Sequence, residues 1–515
     1  MKIKALQLIA ICLGCAVCAF GQSTDTDMQR SHVERFSKPE VLAEQAEAEA
    51  TAKLASNPGD HEALNARALA RMRLSRYAEA ERDLRRAVSL KPEMADYQAN
   101  LGYVLWKNGR SDEAISAERA ALKLDENNYT AHYQLGRFLL LGGNPNHLTE
   151  AAEHLNRALQ IDPRRSEIRF ELLTAYRALG DAPRAIAQLN LLRDARPSDP
   201  RVIYADGVLA SDRGDMDGAI KSFREALRLD STLFSAWQDL GLAYIKLNRW
   251  PEAAATFAEL SHRRSDSVEA AYFHALALYN SGSNEDAERE VRRALRLDAG
   301  ASAAHTLLGI ILASRGGYNP EAIEALTQAT ALAPSSFDAQ FYLGRVQYAA
   351  RDYPAAIKAL SAAVKLDPRH AEARFFLGTS LEAAGDAEAA FAEYQELVRL
   401  APESASGRTG LGALLLKQGK TEEAIAALKR AIALDPKSFE AHWALGRALA
   451  FAQRHQEAIA ALETAVSIAP DRADAHYQLG LALRRTGRTE DAAREFATVE
   501  RINEEFRNRS VKTKQ

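Results

Sequence analysis

Beyond position 18 this chain of 515 residues contains no cysteine. The three it has, Cys12, Cys15 and Cys18, sit in one apolar stretch, so the rest of the chain has neither a disulfide framework nor a thiolate metal site. An excess of either charge is also missing. The 66 basic and 69 acidic residues leave a formal charge of −3, which gives no long-range field to attract nucleic acid. Proline is scarce, and alanine, leucine, glutamate and arginine dominate, a composition that favours helix. Nucleophile and metal signatures are lacking as well. There is no Gly-x-Ser-x-Gly elbow, and His61-Glu62 has Asn65 where a zinc helix needs a second histidine. Gly419-Lys420-Thr421 resembles the end of a phosphate loop, but Leu414 replaces its required glycine and no strand precedes it.

The first segment differs from the rest of the chain. Lys2 and Lys4 precede an apolar run from Ala5 to Ala19, and Ala19-Phe20-Gly21 has small residues at both positions that govern cleavage. This order predicts a signal peptide over 1–21, cleaved after Gly21, and hence a periplasmic or secreted chain. The run is short of the roughly 20 residues of a span, which favours cleavage; an uncleaved anchor is the alternative, because the length of the apolar run lies between the two cases. Once the segment is removed, no integral membrane span is expected. Peripheral association with the envelope stays open.

What is abundant is self-similarity. Thirteen alanines, Ala80, Ala114, Ala151, Ala185, Ala219, Ala253, Ala287, Ala322, Ala356, Ala390, Ala424, Ala458 and Ala492, follow one another at intervals of 34. The exceptions are 37 before Ala151 and 35 before Ala322. So strict a period marks a stack of repeats, each packing on its neighbours. One unit explains the pattern. Leu411, Leu414 and Leu415 keep the spacing of a buried helical face. Gly419 ends that helix, Thr421 is placed to cap the next, and Glu422 and Glu423 suit its positive end. The second helix buries Ala424, Ile425, Leu428, Ala431 and Ile432, then stops at Asp435-Pro436. Gly412, Ala424 and Ala431 are small enough to let the two backbones approach.

The Leu-Gly pair recurs as Leu101-Gly102, Leu135-Gly136, Leu240-Gly241, Leu308-Gly309, Leu343-Gly344, Leu377-Gly378, Leu411-Gly412, Leu445-Gly446 and Leu479-Gly480, and the closing proline from Pro92 to Pro470. On these residues the chain resembles the tetratricopeptide repeat family over roughly His61 to Glu504. The resemblance implies an all-α, right-handed superhelical solenoid of about thirteen helix-turn-helix repeats, occupying 61–504. Residues 22–60 are expected to form a linker and an N-terminal capping helix, Pro39 to Ser56. Residues 505–515 are expected to form a basic disordered tail. Departures from the pattern are Leu173 and Ala275 for the first-helix glycine, Leu192 and Leu260 for the second small residue, and Glu118 for a large apolar one.

In this family the concave groove is lined by the first helices, at residues five, two and one before the pattern glycine and one after it. Three before the glycine, eight of thirteen repeats carry an aromatic: Tyr133, Phe170, Tyr204, Tyr272, Phe341, Phe375, Trp443 and Tyr477. One after it come Arg137, Arg345 and Arg447, each on the face of an aromatic four residues earlier. These eleven residues are the candidate partner-binding groove. A strip of this kind stacks on partner side chains and receives carboxylates. The structural alternative is family consensus for the aromatics and repeat-to-repeat ion pairs with Glu167, Glu372 and Asp474 for the arginines. His132, His305, His442 and His476 share one repeat position, which is expected to pack between repeats instead of holding a metal. The resemblance therefore implies a non-catalytic scaffold for a protein or peptide ligand, with no cofactor, and the expected export makes envelope assembly or secretion its expected setting. The competing reading is a non-catalytic partner subunit of a glycosyltransferase or of glycan or polymer-export machinery.

Overall fold

The computed structural model describes residues 39–316 and 318–512. The expected signal peptide, most of the linker and residues 513–515 lie outside the described residues. A helix at Pro39–Ser56 precedes thirteen helix pairs, from His61–Arg73 with Tyr77–Leu90 to Ala473–Arg485 with Thr489–Lys512. No strand occurs among the described residues. Contacts divide the chain into two units, one of residues up to 266 with 276–283, the other of 267–275 with 284 onward.

The pairing follows from two backbone requirements. First, a left-handed residue turns the chain between the two helices of every repeat. Nine of these thirteen positions are glycines, among them Gly419 at φ 78°, while Ser75, Asn248, Arg351 and Gln453 take φ of 55–63°. A side chain in that region strains the backbone, so Arg351→Gly is expected to raise stability by about 1 kcal/mol in urea unfolding. Second, the first-helix glycine lets a large second-helix residue sit directly on its backbone. A Cβ on Gly412 would lie 2.6 Å from Leu428 Cγ, closer than real Cβ atoms come. Thr421 does not cap the second helix as the sequence suggests. Lys420 occupies the cap position without a side-chain bond, and Thr421 Oγ1 donates to the Gly419 carbonyl at 3.4 Å.

Glu118 occupies the position that Leu155, Leu360, Leu428 and Leu462 fill in other repeats. It is fully buried over Gly102, and burial pushes its carboxyl well above the ordinary range. The Gln134 amide, oriented to donate, reaches Glu118 Oε1 at 2.6 Å, while Oε2 is buried without a partner. Glu118→Leu is expected to stabilise this repeat by about 1–3 kcal/mol at neutral pH. The native state holds a proton that the unfolded chain releases above its own carboxyl pKa. Wild-type stability therefore falls as pH rises through that value, and the advantage of the leucine variant shrinks on acidification. Hydrogen exchange across residues 111–124 at the two pH extremes checks this.

Other departures are absorbed within the core. Leu173 and Leu192 are buried in one cluster with Leu172 and Leu189. The insertion before Ala151 forms a 3-10 turn at Pro145–His147, begun by Asn144, whose Oδ1 accepts from the Asn146 amide at 3.1 Å. At the N-terminal side, helix Pro39–Ser56 buries Ala43, Ala50 and Leu54. Its Glu47 accepts from Arg71 at 2.8 Å and from Arg76 at 2.9 Å. Arg71 and Arg67 in turn donate to the buried Asp83, at 2.8 Å and at 2.7 and 2.8 Å. One ion network thus ties the capping helix to both helices of the first repeat. At the other side the structure differs from the expected tail, because the last helix runs through residue 504 to Lys512. No glycine or proline interrupts that stretch, and Arg501 pairs with Glu505 one turn on, at 3.3 Å.

Candidate protein-interaction face

Four before the pattern glycine, the recurrent histidines have a definite task. Nε2 of His132, His305, His442 and His476 donates to the carbonyl six residues upstream, at 2.9, 3.0, 3.1 and 3.1 Å. Trp237, Gln340, Arg374 and Arg408 do the same at the equivalent position. Any donor of suitable reach latches the turn that enters the repeat, which is why the residue type varies. With Nε2 donating, His132 Nδ1 is the acceptor for His154 Nδ1 at 2.9 Å.

The aromatic ladder one residue further along is not uniform. In the first unit, Tyr133 donates to Glu171 Oε1 at 3.1 Å, and burial raises the pKa of its phenol. The Arg201 guanidinium lies over Phe170 at 5.2 Å. Tyr204, only 7% exposed, donates to Asp239 Oδ2 at 2.7 Å, and burial raises the pKa of both groups. In the second unit, Tyr272 is 9% and Phe341 4% exposed. Phe341 is enclosed by Phe337 at 5.6 Å, His370 at 5.2 Å and Phe376 at 6.3 Å between ring centroids. Tyr204, Tyr272 and Phe341 are thus core residues with little surface to give a ligand. Phe375, packed on Tyr394, and Trp443 are half-buried. Tyr477 is the open member, at 48% exposure.

The arginines divide three ways. Arg345 reaches Glu372 of the next repeat at 3.6 Å, the ion pair suggested by their spacing. Arg137 bonds Glu171 at 2.8 Å, one turn beyond Glu167, which faces Arg196 instead. Asp474 is held by Arg472 at 3.0 and 2.8 Å. Arg447 therefore stays exposed, stacked 4.7 Å over Trp443 and without an ion pair among the described residues. Three further residues of this face escape a reading of the sequence alone. Phe451, four after Arg447, is 65% exposed, and Arg484 and Arg485, seven and eight after Tyr477, are exposed in the last turn of their helix. The i, i+4 continuation of the Trp443–Arg447 row was the available signal for Phe451. A separate cleft of about 550 Å³ around Trp237 and Tyr244 is rimmed by Arg228 and Arg249, each already paired with a glutamate.

With this geometry, the match to known sequences is decisive for the family. The description "Tetratricopeptide repeat" fits residues 65–166, 238–405 and 409–473 in overlapping segments, and 146–205 and 449–508 besides. The chain belongs to the tetratricopeptide repeat family. Among curated relatives, the human "Protein O-mannosyl-transferase TMTC3" is 25% identical over 289 residues, 55% of this chain and 31% of that protein. The "Peroxisomal targeting signal receptor" of Saccharomyces cerevisiae is 25% identical over 225 residues, 41% of this chain and 36% of that receptor. The chain thus spans only about a third of the length of these relatives. Among solved structures, "Crystal structure of APC/C hetero-tetramer Cut9-Hcn1" is 15% identical, covering 89% of this chain and 95% of that one, with a TM-score of 0.46. That likeness concerns the repeat fold alone.

Proposed function

We propose that this tetratricopeptide repeat protein is an exported, non-catalytic scaffold that holds a polypeptide against the first helices of its last two repeats. The observation that carries the reading is the exposed set Arg447, Phe451 and Tyr477, which joins apolar and cationic surface, with no ion pair for Arg447 among the described residues. Exposed aromatics beside arginine are the residues that dominate binding energy at protein interfaces. The relative named as a targeting-signal receptor is consistent with a polypeptide ligand. Export rests on the order of basic, apolar and small residues over 1–21, and places the scaffold in envelope assembly or secretion. A second reading, a partner subunit in glycan or glycosyltransferase machinery, is favoured by the relative named as an O-mannosyl-transferase.

Peptides selected by display on the full chain test the binding face. Their affinity is expected to fall at least about tenfold in Phe451→Ala and Tyr477→Ala. Loss of binding in variants of Lys429 and Glu463 on the second helices, with the first-helix variants unaffected, would contradict it. Intact mass of the protein from its native host tests export. The expected mature chain begins at Gln22, whereas a membrane-bound form retaining 1–21 would support the anchor.

A further inference from the structure

The last three repeats separate their charges between helices. Their first helices, residues 405–417, 439–451 and 473–485, carry five basic and two acidic residues. Their second helices, counted through Glu500, carry three basic and eight acidic ones. The structure then removes most of the neutralising contacts from the first-helix side. Lys417 is paired with Glu382 at 2.7 Å, and Arg408 is spent on the Pro402 carbonyl at 3.0 Å. The two acids, Asp474 and Glu440, both face Arg472, at 2.8 and 4.0 Å. Arg447, Arg484 and Arg485 are left exposed with no ion pair among the described residues.

Helices 439–451 and 473–485 touch, and equivalent positions one repeat apart form two rows. One row is Trp443, Arg447 and Phe451; the other is Tyr477, Leu481 and Arg485, with Arg484 beside it. Each row keeps i, i+4 spacing along one helical face. Apolar surface therefore alternates with cations that have no ion pair, whereas second-helix acids such as Glu457 and Asp491 are held by Arg454 and Arg488.

We propose that the ligand of this face is an acidic segment, an extended polypeptide with carboxylates for Arg447, Arg484 and Arg485 and apolar side chains for Phe451 and Tyr477. This rests on the polypeptide-binding reading above and adds the charge of the partner. Carboxylates accept from guanidinium in paired, charge-assisted bonds, and separated charges of this kind select partners by sign.

The test uses the full chain and two labelled probes, a short peptide of Asp, Glu, Leu and Gly, and its counterpart with Asn and Gln replacing every acid. Fluorescence anisotropy is expected to show binding of the acidic probe at least about tenfold tighter, weakening as salt rises from about 50 to about 200 mM. Arg447→Glu, Arg484→Glu and Arg485→Glu together are expected to abolish that preference with helicity and melting unchanged. Cations in a last helical turn also favour the helix dipole, so Arg484→Gln and Arg485→Gln serve as a second variant if the reversal melts early. Equal affinity for the two probes, no binding of either, or an acidic preference that survives both variants would overturn the inference. Equal affinities that are both lost in Phe451→Ala would leave the polypeptide-binding reading standing and remove only its acidic selectivity.

Discussion

Phe341→Ala is expected to destabilise the second unit by about 3–5 kcal/mol, the cost of emptying an aromatic site in a closed core. Phe337, His370 and Phe376 surround the ring, and the Arg345 guanidinium lies over it at 5.4 Å. None of these can collapse fully into the space without losing its own packing. Tyr477→Ala, at the same repeat position, is expected to leave melting nearly unchanged, because the ring is open, with Phe496 at 5.9 Å between ring centroids. Urea unfolding followed by hydrogen exchange across 337–366 and 473–485 separates the two. Equal losses in both variants would contradict the division of the ladder into core and surface.

The second large effect is expected at the N-terminal side. Asp83 is buried and accepts from both Arg67 and Arg71. Asp83→Ala leaves two mostly covered guanidinium groups facing each other without a carboxylate, and removing one partner of a buried pair costs about 3–5 kcal/mol. The nearer value is the lower one, since both arginines keep some solvent contact and Glu47 can take part of the load. The loss is expected to be local. Helix Pro39–Ser56 should exchange its amides faster and the first repeat should unfold early, while later repeats keep their protection, because each repeat contacts mainly its neighbours. Unaltered exchange over 39–90 would show that apolar contacts alone hold the capping helix.

Much of this architecture is legible in the residues themselves. The interval of 34 between alanines and the recurrent Leu-Gly pair encode where helices approach, and the approach of Leu428 to Gly412 is the physical content of that pattern. Side-chain environment is less legible. Phe341 and Tyr477 look alike in the repeat, and it is the neighbouring Phe337, His370 and Phe376 that enclose the first. The expected pairing of Arg447 with Asp474 fails for a similar reason. Arg472, two residues before that acid, is closer and takes it. The last helix outruns the expected boundary because a basic, polar composition suggests disorder where no residue actually stops a helix.

Hydrogen exchange of the full chain with and without a display-selected peptide tests most directly whether the last two first helices form the binding face. Added protection is expected on residues 439–451 and 473–485, with none on the second helices 421–434 and 455–468. Protection concentrated on those second helices, or binding with no change over 439–485, would contradict it.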